Sequence, residues 1–231
     1  MRVAAMAVAL MSALSAGPAR AQAPVVVELF TSQGCSACPP ADAYFGDLAL
    51  REDVIALALH VDYWDYLGWA DPFAQSRFTE RQKSYARAAR SRMVYTPQMI
   101  VAGEGRVEGF RTDEVDALIA RHHTMPQPVA LRLERDGARL RIVATADPPL
   151  EGDVTVHLVR YAPSHTMTIE RGENAGHTDT YYNIVTEWHA LAHWSGDAPF
   201  AMDVTTEGDE PVVVLVQRPG PGAILAAARL R

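Results

Sequence analysis

Residues 25–40 read Val-Val-Val-Glu-Leu-Phe-Thr-Ser-Gln-Gly-Cys-Ser-Ala-Cys-Pro-Pro, and they contain both cysteines of the 231-residue chain. The apolar, β-branched run from Val25 to Phe30 predicts a buried strand, and Thr31 to Gly34 the loop that leaves it. A helical pattern follows from Pro39 to about Leu50. Cys35 and Cys38 therefore fall at a strand-to-helix junction, where free backbone N–H groups and the helix dipole favour thiolate over thiol. A C-x-x-C pair in that setting predicts redox chemistry. Two plainer readings compete with it. A structural disulfide across two intervening residues would remove little unfolded-state entropy. A thiolate-rich zinc site needs four ligands, so histidines elsewhere would have to complete it.

Working outward, Val54 to Val61 is a second near-continuous apolar run, which suits a parallel strand covered on both faces. Strand, helix and strand make a βαβ unit with a right-handed crossover. The loop that follows, Asp62-Tyr63-Trp64-Asp65-Tyr66-Leu67-Gly68-Trp69, leaves the carboxyl end of that strand, the edge at which open α/β sheets bind ligands. Asp62 and Trp64 are its candidate substrate-facing residues; a local aromatic cluster that only holds the loop is the alternative. Asp71-Pro72 predicts a helix start, with the helix reaching about Arg92 and Arg77, Arg81, Lys83, Arg87 and Arg90 on a solvated basic side. Beyond Thr96-Pro97 the pattern predicts strands at 98–102 and 106–110 around a Gly-Glu-Gly turn, then a helix over 113–122 capped by Thr112.

From Met125 the texture changes. Pro126 and Pro128 flank a linker, and turn signals then separate short strands at 129–135, 139–146, 153–160, 165–170, 182–194, 199–204, 211–217 and 223–230. That spacing predicts an antiparallel β-sandwich over residues 128–231. His165, His177, His189 and His193 lie in this half and read as surface histidines, not as a metal site. The polar stretch Arg171 to His177 has no legible role.

The N-terminus reads as an address. Arg2, an apolar stretch from Val3 to Leu14 and Ala19-Arg20-Ala21 predict a signal peptide over residues 1–21, with Ala23 an alternative cleavage point. A dozen apolar residues are too few to span a bilayer, which needs roughly 20. Export to a bacterial periplasm or beyond follows, with no stable membrane insertion. Removing residues 1–21 takes away Arg2 and Arg20 and no acid, leaving a net charge of about −9. An acidic protein of this kind is a poor partner for nucleic acid.

Over residues 24–123 the order strand, C-x-x-C, helix, strand, helical insertion, Thr-Pro, hairpin and helix resembles the thioredoxin fold. The resemblance implies that Cys35 is the attacking cysteine and Cys38 the resolving one. It implies that Pro97 is cis and shapes a groove beside them, and that the Thr96 backbone holds an extended substrate peptide. It also puts Glu28 where many members carry a buried carboxylate that relays the proton of the resolving cysteine; read without the resemblance, Glu28 is equally a carboxylate satisfied by a surface cation. The helical insertion is similar to that of the periplasmic disulfide oxidoreductases. The whole chain resembles a secreted bacterial thioredoxin-like family catalogued as a domain of unknown function. Pro39 and Pro40 depart from the family pattern; a helix that begins at Pro39 with Cys38 at its cap accommodates them.

The reading is an α/β thioredoxin-like domain with a helical insertion, residues 24–124, followed by an antiparallel β-sandwich domain. Cys35 is expected to reach solvent from its loop, and Cys38 to pack back toward the sheet. The expected activity is disulfide exchange with protein or peptide thiols, in concert with a redox partner the sequence does not identify and with no cofactor. The rivals are a copper-handling or assembly protein using the thiols with His60, since soft thiolates select Cu(I), and a non-catalytic binding protein.

Overall fold

A computed structural model of the protein describes residues 23–231; the predicted signal peptide lies outside them. β1 (Val25–Thr31) and β2 (Val54–His60) are buried along their whole lengths and pair in parallel, Val25 opposite Val54 through Thr31 opposite His60. β3 (Gln98–Val101) runs antiparallel to β1, and β4 (Gly105–Glu108) pairs with β3. Alternation of side chains sorts the apolar residues of these strands onto two faces. On one face Val25, Val27, Leu29, Ala56, Met99 and Val101 meet α1 (Pro39–Leu50) and α3 (Thr112–His123). α1 offers Ala41, Phe45, Leu48 and Ala49, the one-sided spacing of an amphipathic helix. On the other face Val26, Phe30, Ile55, Leu57 and Ile100 meet Phe78 and Tyr85 of α2 (Ser76–Ala88).

The second half of the chain departs from the predicted arrangement. β5 (Val129–Asp136), β6 (Arg139–Ala146) and β9 (Phe200–Thr205) form a three-stranded antiparallel sheet. β7 (Val154–Thr168), β8 (Thr178–Trp194), β10 (Val212–Gln217) and β11 (Ile224–Leu230) do not complete a sandwich of their own. They extend the first sheet, giving eight strands in the order β11-β10-β7-β8-β2-β1-β3-β4. β10 makes the physical reason plain. Its run Val-Val-Val-Leu-Val-Gln is buried on both sides: Val212, Val214 and Val216 pack toward the three-stranded sheet, Val213 and Leu215 toward the face that carries α2. A strand covered on both faces needs no polar alternation. The strands predicted at 153–160 and 165–170 are one 15-residue strand, which with the 17 residues of β8 makes a long hairpin.

β8 joins the two halves by lying parallel to β2, with Ala58 opposite Ile184. Asn183 secures the joint: its backbone takes a positive φ of 47°, and its Nδ2 donates to the Ala56 carbonyl at 3.0 Å. Asparagine tolerates that left-handed backbone better than most residues. Tyr182 packs its ring on α1 at Gly46, where an added Cβ would come within 2.9 Å of the ring. Asn183→Ala should lower stability by about 1–3 kcal/mol, through the lost bond and the unsatisfied carbonyl. Urea denaturation followed by far-UV circular dichroism reads this; an unchanged midpoint would mean that the joint contributes nothing.

Candidate functional site: the disulfide and its cover

The turn that carries the cysteines is built from its own backbone. Ser32 Oγ accepts the Gly34 N–H, and the Cys35 and Cys38 N–H groups donate to the carbonyls of Ser32 and Cys35, both at 3.1 Å. α1 then starts on Pro39, which has no N–H to leave unsatisfied, with Cys38 as its N-cap. Cys35 and Cys38 are joined in a disulfide, with Cα atoms 5.4 Å apart. A C-x-x-C disulfide at a helix start is compatible with a redox role.

Neither sulfur is open to solvent: Cys35 is 3% exposed and Cys38 0%, where the sequence led us to expect Cys35 at the surface. The tip of the β7–β8 hairpin, the polar stretch whose role the sequence left blank, is bonded to the turn that carries the cysteines. Asn174, itself buried, donates through Nδ2 to the Gln33 and Cys35 carbonyls at 2.9 and 3.0 Å. Gln33 anchors the arrangement from below. Its Oε1 accepts from Trp69 Nε1 at 2.7 Å, its Nε2 contacts Met167 Sδ at 3.4 Å, and its N–H donates to Asp71 Oδ2 at 2.8 Å.

Trp64, Thr96 and Pro97 gather beside the pair. Trp64 packs on Gly34, where an added Cβ would lie 3.0 Å from the Trp64 Cβ, and its Nε1 donates to Thr96 Oγ1 at 2.7 Å. The Thr96–Pro97 bond is cis, as is Asp147–Pro148. Pro97 and Ala41 of α1 press on Gly109 closely enough to exclude a side chain there. Asp62 is used differently. Its carboxylate accepts the Thr79 hydroxyl at 2.6 Å and ties the aromatic loop to α2.

Glu28 is not brought to the cysteines. It lies on the α2 face of β1, opposite the face that α1 covers. There Arg81 engages both its oxygens, at 2.6 and 2.9 Å, and the Tyr85 hydroxyl donates to it at 2.5 Å. Gln217 of β10 joins Arg81 and Tyr85, and the Arg81 guanidinium stacks 3.8 Å over the Trp188 ring. Arg81 therefore leaves the predicted solvated basic face because a buried carboxylate draws it inward. Burial pushes the Tyr85 hydroxyl pKa well up.

The acids on the cysteine side are others. α2 starts at Ser76, not at Asp71-Pro72 as predicted, because the Asp71 carboxylate is committed elsewhere. It accepts the Gln33 and Phe73 N–H groups and sits 2.7 Å from His60 Nδ1, with both side chains fully buried. Burial works to raise the Asp71 pKa, but the His60 charge and these hydrogen bonds hold it low. Burial works to lower the His60 pKa; Asp71 outweighs it and keeps the pKa raised. Asp42, one helical turn past Cys38, is pushed up to about 7 by burial, against the opposing charge of His60 and the Thr31 hydroxyl. Of the histidines left open, His165 stacks edge-on with Phe73, His189 pairs with Glu187 and His193 contacts Thr155. Among the described residues no group of three or more His, Cys, Asp or Glu side chains has the arrangement to hold a metal ion.

Fold and site together define a mixed α/β protein, with a large sheet and a second antiparallel sheet, that carries a C-x-x-C disulfide. The chain belongs to the family described as "Protein of unknown function (DUF1223)", whose family model matches residues 26–217. It is similar to a crystal structure of an Agrobacterium tumefaciens protein, AGR_C_4864, with 31% identity and a TM-score of 0.78, covering 92% of this chain and 96% of that one. Its fold is also similar to that of HBP35 of Porphyromonas gingivalis, at 15% identity and a TM-score of 0.61, covering 90% of this chain and 75% of the other. No curated protein matches the chain.

Glu28→Gln should leave the Arg81 cation without its counter-charge and cost about 3 kcal/mol or more. The same variant should reduce and re-form the Cys35–Cys38 disulfide with the wild-type dependence on pH. Urea denaturation and timed alkylation of the reduced thiols measure the two. An unchanged stability with altered thiol kinetics would return Glu28 to the redox site.

Proposed function

We propose that the chain is an exported thiol–disulfide oxidoreductase, exchanging disulfides with protein or peptide thiols through Cys35 and Cys38. The disulfide at the strand-to-helix junction carries this reading: it closes too short a loop to stabilise the fold appreciably, so its use is chemical. The strand order β2-β1-β3-β4, with α1 and α3 on one face and α2 on the other, supports a thioredoxin-like unit in the first half. Export agrees with an oxidised pair, with the leader-like N-terminal sequence, and with the fact that no helix among the described residues is long and apolar enough to cross a membrane.

In the proposed cycle the Cys35 sulfur meets the substrate and Cys38 resolves the mixed disulfide. Thr96 and Pro97, with Trp64 against Thr96, line the approach for an extended peptide. The Asn174 loop closes over the cysteines, so a client disulfide reaches Cys35 only when the hairpin tip swings aside. Asp62 serves the loop and not the substrate.

Cys38→Ala should trap mixed disulfides through Cys35 with periplasmic clients, visible as reductant-sensitive bands on non-reducing gels. Cys35→Ala should trap few. Adducts carried by Cys38 would reverse the assignment, and no adducts from either variant would remove the exchange reading.

A further inference from the structure

The cysteine side of the sheet holds a chain of polar groups that the exchange scheme has not used. Asp42 follows Cys38 by four residues in α1, and its N–H donates to the Cys38 carbonyl at 3.0 Å, so the turn between them is helical. Side chains four apart on a helix lie on one face, a few ångströms from each other. On its other side Asp42 faces the end of the βαβ unit, where Thr31 and His60 are register partners and both are fully buried. His60 commits Nδ1 to Asp71, while its Nε2, at the opposite edge of the ring, is buried without a hydrogen-bond partner. The ring is clamped between Phe73 and Tyr181, with centroids 5.3 and 5.2 Å away. A buried imidazole held this firmly with one nitrogen unused is costly unless that nitrogen has a task.

We infer that Asp42 is the acid–base group of the Cys38 thiol, and that the His60–Asp71 pair is the positioning unit that sets when Asp42 gives up its proton. This rests on the exchange reading of the cysteines and names the proton path within it. In the resolving step the Cys38 thiol passes its proton to the Asp42 carboxylate. The freed electron pair on Cys38 Sγ attacks Cys35 Sγ, and the bond between Cys35 and the substrate sulfur breaks. The substrate leaves as a thiolate carrying that bond's electron pair and is protonated from solvent. The substrate disulfide is thereby reduced to a dithiol, and the protein dithiol is oxidised to the Cys35–Cys38 disulfide. In the opposite direction a substrate thiolate attacks Cys35, and protonated Asp42 supplies the proton to the departing Cys38 sulfur.

Electrostatics agrees with this assignment. With its pKa pushed up to about 7, Asp42 is present in both forms at neutral pH and can act in either direction. The groups that face it are His60, whose positive charge favours the carboxylate, and Asp71 and Asp179, which oppose it. Asp179 comes from β8 and has a buried oxygen without a partner, as His60 has a buried nitrogen. Tyr181, also from β8, feels Asp42, Asp179 and Asp71 together and is held in its neutral form, after burial, by those charges. Glu28, on the opposite face, takes no part.

The test uses the full mature chain with Cys35 loaded as a mixed disulfide with thionitrobenzoate. Cys38 attack releases the coloured thiolate in a single turnover, and its rate is followed from pH 5 to pH 10. The wild-type rate should rise through an inflection near the Asp42 value of about 7. Asp42→Asn should lose that inflection, run about 100-fold slower at neutral pH, and recover at alkaline pH where the thiol ionises unaided. His60→Gln, which removes the charge that favours the Asp42 carboxylate, should keep the inflection but move it to higher pH. That shift decides the matter even where Asp42→Asn fails to fold. Release from the wild-type chain with the same profile in both variants would overturn the relay and leave the exchange reading standing. No release from the wild-type chain at any pH would overturn the exchange reading itself.

Discussion

The pairing of β8 with β2 is the constraint on which the rest depends. It is made by few contacts, the Ala58–Ile184 register and the Asn183 side chain bonded to the Ala56 carbonyl. It fuses the strands around the cysteines and the strands of the C-terminal half into a single sheet. At Asn183, whose φ is positive, the long hairpin leaves that pairing: Tyr182 packs on α1 at Gly46, and the hairpin tip reaches the turn that carries the cysteines. Asn174 then binds the Gln33 and Cys35 carbonyls. A separate β-sandwich on a linker could not hold that tip in register; a continuous sheet can. The second half thus holds a side chain of its own against the turn that carries the disulfide.

Two buried charge systems occupy opposite faces of β1 and do different work. On the α2 face, Glu28, Arg81, Tyr85 and Gln217 satisfy one another across three elements and tie β10 to β1 and α2. Burying these charges is costly in itself, but truncating one partner leaves the other charge stranded. On the α1 face, the His60–Asp71 pair is satisfied, but Asp42 sits in its field and the outer nitrogen of His60 is unused. The first system is closed. The second leaves a buried imidazole nitrogen unused, and the proposed proton path draws on it.

Much of the first half was legible in the sequence because local rules decide it. Periodicity and β-branching gave the strands around Cys35 and Cys38, and proline at the first helical position fixed Cys38 as the cap of α1. Glu28 was legible as a buried carboxylate, and pairing with a cation was one of its two readings, but which cation was not legible. Its side of the sheet follows from period-2 alternation, while its partner lies 53 residues away on a helix. Asp71 misled because an acid before proline is a common helix start; a buried histidine claimed it instead. Asp42 carried a usable signal, an acid four residues after the second cysteine in the first turns of a helix whose other acid, Asp47, is exposed. Asn174 carried none, since an asparagine in a Gly-rich polar loop reads the same whether it faces water or a carbonyl. The run Val212 to Gln217 was read as a sandwich strand; its burial on both faces shows only once β7 and β11 flank it.

The central claim is that the Cys35–Cys38 disulfide is a working redox pair. Its reduction potential tests that most directly, measured by equilibrating the protein in glutathione and dithiothreitol buffers and counting alkylated thiols by mass. The account predicts a reversible two-electron titration in the range of thiol–disulfide oxidoreductases, from about −120 to about −270 mV. A potential below about −300 mV, the territory of structural disulfides, would contradict it.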